Sequence, residues 1–365
     1  MNTRRQRPVP EVMMQGWVIE TSFVKVECFN ITGTSEPGVD IRALRSAIEI
    51  AATYIHDIPA PAVNMARADP SRMPANVTIH DNYITRTAYG FNVFCRDNCV
   101  LADNEVQRTT PGITGHDGDY SRLFGEGIVF LRNYFHGNSI SDCEGCHIDC
   151  FQTWNLGRSS YEIARRITLD GNICFNAHEG IIARDVSGQA VQSHLGWTVT
   201  NNVFRYGPTG SRMAWCALFE HVGDVTFHHN LCGEGVVGYR NDGSSSHLNN
   251  IHYNTGWKPY FAETGAEMTS RANLLFNPTR KYAGFGGDLL NVDPNFVDSN
   301  GDDYRLQSNS PAIGRGAPTT VDRDRLGYPR SKPGDIGPHE FGARPLPPGR
   351  LTLHVEVSSG KGANE

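Results

Sequence analysis

The sequence predicts an all-β chain wound as a solenoid of parallel strands, and three observations carry that prediction. The first is a recurring phrase: two or three β-type residues, a polar residue or two, then Asn and an apolar or aromatic pair. It reads VTIHDNYI, CVLADNEV, IVFLRNYF, ITLDGNICF, WTVTNNVF and VTFHHNLC, with its Asn at Asn82, Asn104, Asn133, Asn172, Asn202 and Asn230. The second is the spacing of those Asn residues, 22, 29, 39, 30 and 28 positions. A unit of that length cannot bury its own apolar face and must stack on its neighbours. The third is that the runs are short and rich in Val, Ile, Phe and Thr, which fits a strand better than a helix. Asn tolerates the left-handed region and bonds locally, so each repeat Asn marks a sharp turn. Stacked Asn side chains can also form an amide ladder. The unequal spacings place extra residues in loops outside some coils.

Two further segments narrow the architecture. They are VDPNFVDSNGDDYRLQSNSPAIGRG, from Val292 to Gly316, and DRLGYPRSKPGDIGPHEF, from Asp324 to Phe341. With the Asn repeat they make the chain, over roughly residues 17–342, resemble the right-handed parallel β-helix proteins of the pectin-lyase-like superfamily. The pair looks like the closing segment found after the last coil in many secreted β-helix proteins of carbohydrate metabolism. The resemblance implies a single-stranded right-handed parallel β-helix over 17–277 and a closing segment over 278–342 packed on the last coils. Residues 1–16 read as an N-terminal lead, trimmed or flexible, and 343–365 as a linker or tail. The superfamily hosts lyases, hydrolases, esterases, epimerases and binding proteins, so the architecture names no reaction.

Composition sets outer bounds. A solenoid grows without adding domains, so 365 residues fit one unit. A net charge of −6 points to neither a nucleic-acid nor a membrane-surface partner. No apolar run is long enough to span a bilayer. The start, MNTRRQRPVPEVMMQG, lacks the apolar stretch of a secretion signal. The expected setting is nevertheless secreted, periplasmic or cell-surface, and the expected state is a monomer. Nine cysteines are an odd number and define no disulfide framework. Cys150, Cys174, Cys216 and Cys232 lie in strand-like runs and read as small stacked core residues. Cys95 and Cys99 are placed to bridge a loop. Cys143 and Cys146 have C-x-x-C spacing without a second pair, a weak zinc signal.

The chemistry is expected where polar residues interrupt the strands at one position of successive coils. Four stretches do so: HDGDYSRLF (from His116), GCHIDCFQTW (from Gly145), NAHEGIIARD (from Asn176) and WCALFEHVGD (from Trp215). Asp119, Asp149 and Glu179 are separated by 30 and 30 residues, about one coil each. Parallel strands lie about 4.8 Å apart. Carboxylates in register on adjacent coils therefore approach the roughly 5 Å separation of retaining glycosidases, and a two-coil pairing the roughly 6.5–9.5 Å of inverting ones. Neighbouring carboxylates push their pKa values apart, leaving one acid and one base. Asp149 and Glu179 are the expected catalytic pair on an exposed sheet face, with His147 orienting and Asp119 tuning them. HIDCFQT followed one coil later by AHEGII is loosely similar to polygalacturonase-type glycoside hydrolases, where an Asp-rich strand precedes a His-Gly strand. The chain lacks that family's N-T-D-G, D-D and R-I-K signatures, so no role is carried across.

Around this pair, Arg122, Gln152, Trp154, His178, Arg184, Glu220 and Arg240 are the expected substrate-binding residues. The arginines suit carboxylates or sulfates. Tyr120, Phe151, Trp154, Trp215 and Tyr239 are candidate platforms for sugar rings, although strand alternation turns about half of them inward. Solvated acids, satisfied histidines and surface arginines would also account for many of these positions. Paired-carboxylate hydrolysis of a polysaccharide leads and needs no cofactor. The alternative is a polysaccharide lyase or epimerase acting on a uronate. Such an enzyme needs a base and a cation, and calcium at Asp117 and Asp119 would supply the cation. No Lys occurs between Val77 and Asn254, which disfavours a Lys base. A third reading is a non-catalytic, adhesin-like β-helix that binds carbohydrate through aromatics and amides.

Overall fold

The computed structural model describes residues 12–110, 117–139, 142, 147–186, 193–206, 214–240, 243–255, 258–263, 265–278 and 282–342. Among these residues the chain is built of strands, with one 3-10 turn at Pro70–Arg72. Each coil contributes to three parallel sheets. The first includes Ala75–His80, Asp97–Ala102, Ala164–Asp170, His194–Thr200 and Gly223–His228. The second is a stack of short strands, among them Glu105–Gln107, Tyr134–His136, Ile173–Phe175, Val203–Arg205 and Leu231–Gly233. The third includes Asp149–Asn155, Glu179–Asp185, Trp215–Glu220 and Val236–Arg240. Tyr54–Met65, Tyr83–Cys95 and Ser121–Leu131 run around a corner and serve two sheets.

Strand alternation sends one set of side chains inward, and register stacks like on like. In the first sheet Ile50, Ile79, Leu101, Phe130, Leu169, Val199, Phe227 and His247 follow one another coil by coil. All eight are fully buried. Burying each such apolar side chain contributes about 1.5–3 kcal/mol, an upper bound before entropy is charged.

The six predicted Asn residues do stack, at 0–1 % exposure. Each donates its amide to the next Oδ1, with distances of 2.9, 2.9, 2.9, 3.0 and 3.0 Å from Asn82 to Asn230. Asn250 and Asn273 extend the ladder. The left-handed residue is the one before the Asn, not the Asn itself. Asp81, Asp103, Arg132, Asn201, His229 and Asn249 have φ of 53–59°. The Asn side chain thus satisfies the backbone groups that this reversal exposes.

Two differences concern the cysteines and the closing segment. Cys150–Cys174 and Cys216–Cys232 are disulfides, not merely stacked thiols. They cross the interior from the third sheet to the second, where alternation points both partners inward. Cys95–Cys99 is also bridged, while Cys143 and Cys146 lie outside the described residues. The closing segment lies along the flank of the second sheet. Phe296, Tyr304, Leu306, Ala312 and Ile336 pack on Ile173, Val203, Leu231, Ile251 and Leu274 in a second core. The same outer column reads Tyr54, Tyr83, Glu105 and Tyr134 in earlier coils. The sequence therefore turns aliphatic where it is to be covered. Arg330 and Ala317 fix the segment by bonds to Asn201 and Asn249 at 2.7 Å each.

The late coils also bury imidazoles. His247 accepts or donates at 2.8 Å to the Tyr239 hydroxyl and meets His252 at 3.0 Å. Burial holds His252 down to about 3 and His247 well below the usual range. A depressed folded pKa means the unfolded chain takes up protons first as pH falls below about 6.5. Stability contributed by the neutral form is then lost between about pH 6.5 and the folded value. Replacing His252 by Gln is expected to reduce the slope of unfolding free energy against pH between 6.5 and 4 by about one proton, roughly 1.4 kcal/mol per unit. An unchanged slope in denaturant titrations across that range would reject this assignment.

Candidate functional site

The third sheet and the turns leading into it carry the residues that the sequence singled out for the site. Asp149 pairs in register with Glu179, and Glu179 with Trp215. Asp119 joins from the coil before, its Oδ1 accepting the Asp149 N–H at 3.0 Å. Three carboxylates thus stand on successive coils, as the 30-residue spacing predicted. Arg122 and Gln152 pair in register three residues further along. Trp154, Arg184, Glu220 and Arg240 form another register column. His147 and His178 precede their strands, and His178 Nδ1 accepts the Ile148 N–H at 3.1 Å.

The expectation of an exposed acidic face is corrected by burial. Asp119 and Asp149 are 0 % exposed, because Arg122, Gln152 and His147 fold over them. Arg122 Nε donates to Asp119 Oδ2 at 2.6 Å. Gln152 Nε2 donates to Asp149 Oδ2 at 2.9 Å. His147 Nδ1 lies 3.1 Å from Asp149 Oδ1, and its backbone N–H donates to Asp117 Oδ1 at 3.2 Å. The groups that reach solvent are His147, at 46 % side-chain exposure, Asp117 at 29 %, and part of Glu179. Asp149 is therefore the hub beneath an accessible rim.

Burial raises the Asp119 carboxyl despite Arg122, and raises Asp149 well above the usual carboxylate range, with Asp119 and Glu179 adding repulsion. Glu179 is raised by burial and accepts a hydrogen bond from the Asp149 carboxyl. His147 is pushed up to about 9, first by its bond to Asp149. A raised imidazole needs an ionised carboxylate, while a raised Asp149 favours a neutral one. The arrangement reconciling them places the positive charge on half-exposed His147 and one proton between Asp149 and Glu179. Burial and the His147 charge lower His178.

Binding residues divide into those with free reach and those already engaged. Arg184 Nε donates to Glu220 at 2.6 Å, and Arg240 reaches Glu263 at 3.2 Å and lies 5.1 Å over the Trp215 ring. Tyr120, Phe151 and Tyr239 are buried. Their rings fill the solenoid and offer no platform, which corrects those three expectations. Trp154 and Trp215 keep part of their surface.

Sequence reasoning missed a cleft beside the carboxylates. About 340 Å³ in volume, it is lined by Asn64, Arg67, Asn92, Phe94, Arg122, Phe124, Trp154 and Tyr161, within the usual range for ligand sites. Its floor continues the Arg122 column, with Asn92 donating to Asn64 at 2.8 Å and Asn64 to Asp40 at 2.7 Å. Its wall is aromatic, and Arg122 lies 4.3 Å over Tyr89 and 5.4 Å over Trp154. The register of Asn64, Asn92, Arg122 and Gln152 at spacings of 28, 30 and 30 was the available signal. Tyr161 comes from the WNLGRSSYEIARR insertion and carried none.

Calcium takes six to eight oxygen ligands. Asp117 and Asp119 face the Arg122 guanidinium at 3.8 and 2.6 Å, and the donors grouped with Asp119 include the His147 imidazole. This set does not fit calcium, and no step is derived through it.

No family model matches the sequence, and no curated protein matches it. Among solved structures the chain is similar to pectate lyase Pel9A, with a TM-score of 0.51, 13 % identity, and coverage of 88 % of this chain and 72 % of that one. It is also similar to XylC in its complex with xylose (TM-score 0.49, 12 % identity, 87 % and 67 % covered). A third likeness is to PfbA, a surface adhesin of Streptococcus pneumoniae (TM-score 0.46, 11 % identity, 71 % and 62 % covered). At such identity a likeness speaks to the fold alone. Together with the all-parallel coils, the match to Pel9A makes this chain a right-handed parallel β-helix.

Proposed function

We propose that the chain cleaves glycosidic bonds of a polysaccharide lying across the third sheet, by carboxyl-assisted hydrolysis. The observation that carries this is the in-register Asp149–Glu179 pair, two carboxyls both raised by burial, beside an aromatic-walled cleft. Glu179, at the rim, donates a proton to the leaving glycosidic oxygen as the C–O bond breaks. Water attacks the oxocarbenium-like carbon from the other side and gives its proton to a carboxylate base. Asp117 suits that role: it is accessible and stands two coils from Glu179, about 10 Å by strand spacing, near the upper end of the inverting separation. Asp149 and Glu179 are register partners on adjacent strands and act as one proton-holding unit. His147 bridges Asp149 and Asp117 and keeps both side chains oriented. Trp154 and Tyr161 would hold sugar faces, while Asn64, Asn92 and Gln152 meet hydroxyls.

A second reading has its own observation: Arg67 and Arg122 line the cleft and suit a uronate carboxylate, as a lyase requires. Three disulfides support an exported protein in either case. No described helix is long and apolar enough to cross a membrane. The deciding experiment incubates the chain with a panel of neutral and acidic polysaccharides and follows reducing ends together with ultraviolet absorbance. New reducing ends without absorbance are expected. Unsaturated, absorbing products would replace hydrolysis by elimination, and binding without either product would replace both by a carbohydrate-binding role.

A further inference from the structure

We propose that Asp119, His147 and Asp149 form a binding site for one divalent transition-metal ion of the zinc class. One donor atom from each of the three lies within 4.8 Å of the others. The closest edge, His147 Nδ1 to Asp149 Oδ1, is 3.1 Å. Two ligands bonded at 2.0–2.1 Å to a tetrahedral or octahedral ion stand roughly 2.9–3.4 Å apart, so the edge admits an ion with little rearrangement. Both carboxylates are fully buried on adjacent strands and tied by the Asp149 N–H, so two of the three ligands are already fixed.

Two observations point to a cation rather than to a self-contained network. Gln152 is 8 % exposed and its amide is directed at the cluster through Nε2, yet its Oε1 is buried with no hydrogen-bond partner. Water carried on a bound ion would supply the missing donor. The second is the convergence of donor atoms: Asp117 Oδ2 lies 3.7 Å and Asp149 Oδ1 3.1 Å from the His147 ring, and Asp119 Oδ1 accepts the Asp149 N–H at 3.0 Å, with one close guanidinium, Arg122.

The donor set also selects the class. One imidazole with two carboxylates suits zinc and its first-row neighbours, not a cation that needs six or more oxygens. Asp117 Oδ2 stands 3.7 Å from His147 Nε2, where an outer carboxylate orients a metal-bound imidazole. The site shares Asp149 and His147 with the proposed proton-holding unit, and metal binding is measured separately from polysaccharide cleavage.

The test is calorimetric titration of zinc, manganese and calcium into chelator-treated full chain, with metal content measured after dialysis. Zinc saturating at one ion per chain is expected, with calcium failing to compete. His147→Gln, at a half-exposed position, should weaken zinc about 100-fold or more, and Gln152→Ala about 10-fold, as outer partners do. Cobalt substituted for zinc should give a visible d–d spectrum that His147→Gln alters. No saturable zinc binding, zinc binding unchanged in His147→Gln, or effective competition by calcium would each overturn the proposal. Near-native melting of each variant is checked in parallel, and Asp149→Asn provides a second ligand deletion should one variant melt early.

Discussion

Glu179→Gln is expected to lower kcat/KM on the cleaved polysaccharide by about 10²–10⁴-fold, the range of a lost general acid. Gln keeps the shape and can still accept from Asp149, so the register pair on the third sheet should survive. What disappears is the proton held at the rim. Because burial raises both carboxyls of the pair, the alkaline limb of the wild-type profile should lie above the ordinary carboxylate range. Asp149→Asn should move that limb downward, since Glu179 would no longer share a proton with a carboxyl whose ionisation burial opposes. The same raised values carry a stability cost of opposite sign. A carboxyl raised in the fold contributes most below its unfolded value near 4, and loses that contribution as pH rises through the folded value. Asp149→Asn is therefore expected to melt no lower than wild type at neutral pH. Full activity in Glu179→Gln, with melting unchanged, would remove this pair from the chemistry.

How much of this was legible follows from what a coil keeps constant. The repeat Asn was readable because its side chain satisfies backbone groups at an obligatory turn in coil after coil, with Thr53 taking the position one coil before Asn82. The Asp119, Asp149 and Glu179 column was readable because those two coils have equal length, 30 residues each. Their burial was not, since it depends on Arg122 closing over them from one coil and Gln152 and His147 from the next. Cysteine pairing was equally hidden. Cys150 and Cys174 meet because two sheets face each other across the interior, a relation that linear spacing does not encode. The cleft escaped for a related reason: Asn64 and Asn92 precede the polar stretches, and Tyr161 enters from a loop insertion.

Asn172→Ala is expected to destabilise the chain by about 3–6 kcal/mol, a large share of the 5–15 kcal/mol of a typical native state. The Asn172 amide donates to the Phe130 carbonyl at 2.9 Å and to Asn202 Oδ1 at 3.0 Å. Its Oδ1 accepts from the Asn133 backbone N–H and amide, each at 2.9 Å. Truncation leaves a donor N–H, an amide hydrogen and a carbonyl without partners in an interior closed to water, at about 1–3 kcal/mol each. Asp at the same position keeps the acceptor but loses both donated bonds and places a carboxylate in the ladder, so it should be no milder. Thr198→Ala, at an exposed first-sheet position in the next coil, should stay within about 0.5 kcal/mol and serves as the control. Equilibrium urea titration monitored by circular dichroism and by intrinsic fluorescence measures the difference. Coincident transitions are required before free energies are compared, because solenoids can unfold in parts. A loss below about 1 kcal/mol for Asn172→Ala would mean that the turn is held by backbone pairing alone, and that the amide ladder follows from the coil instead of fixing it.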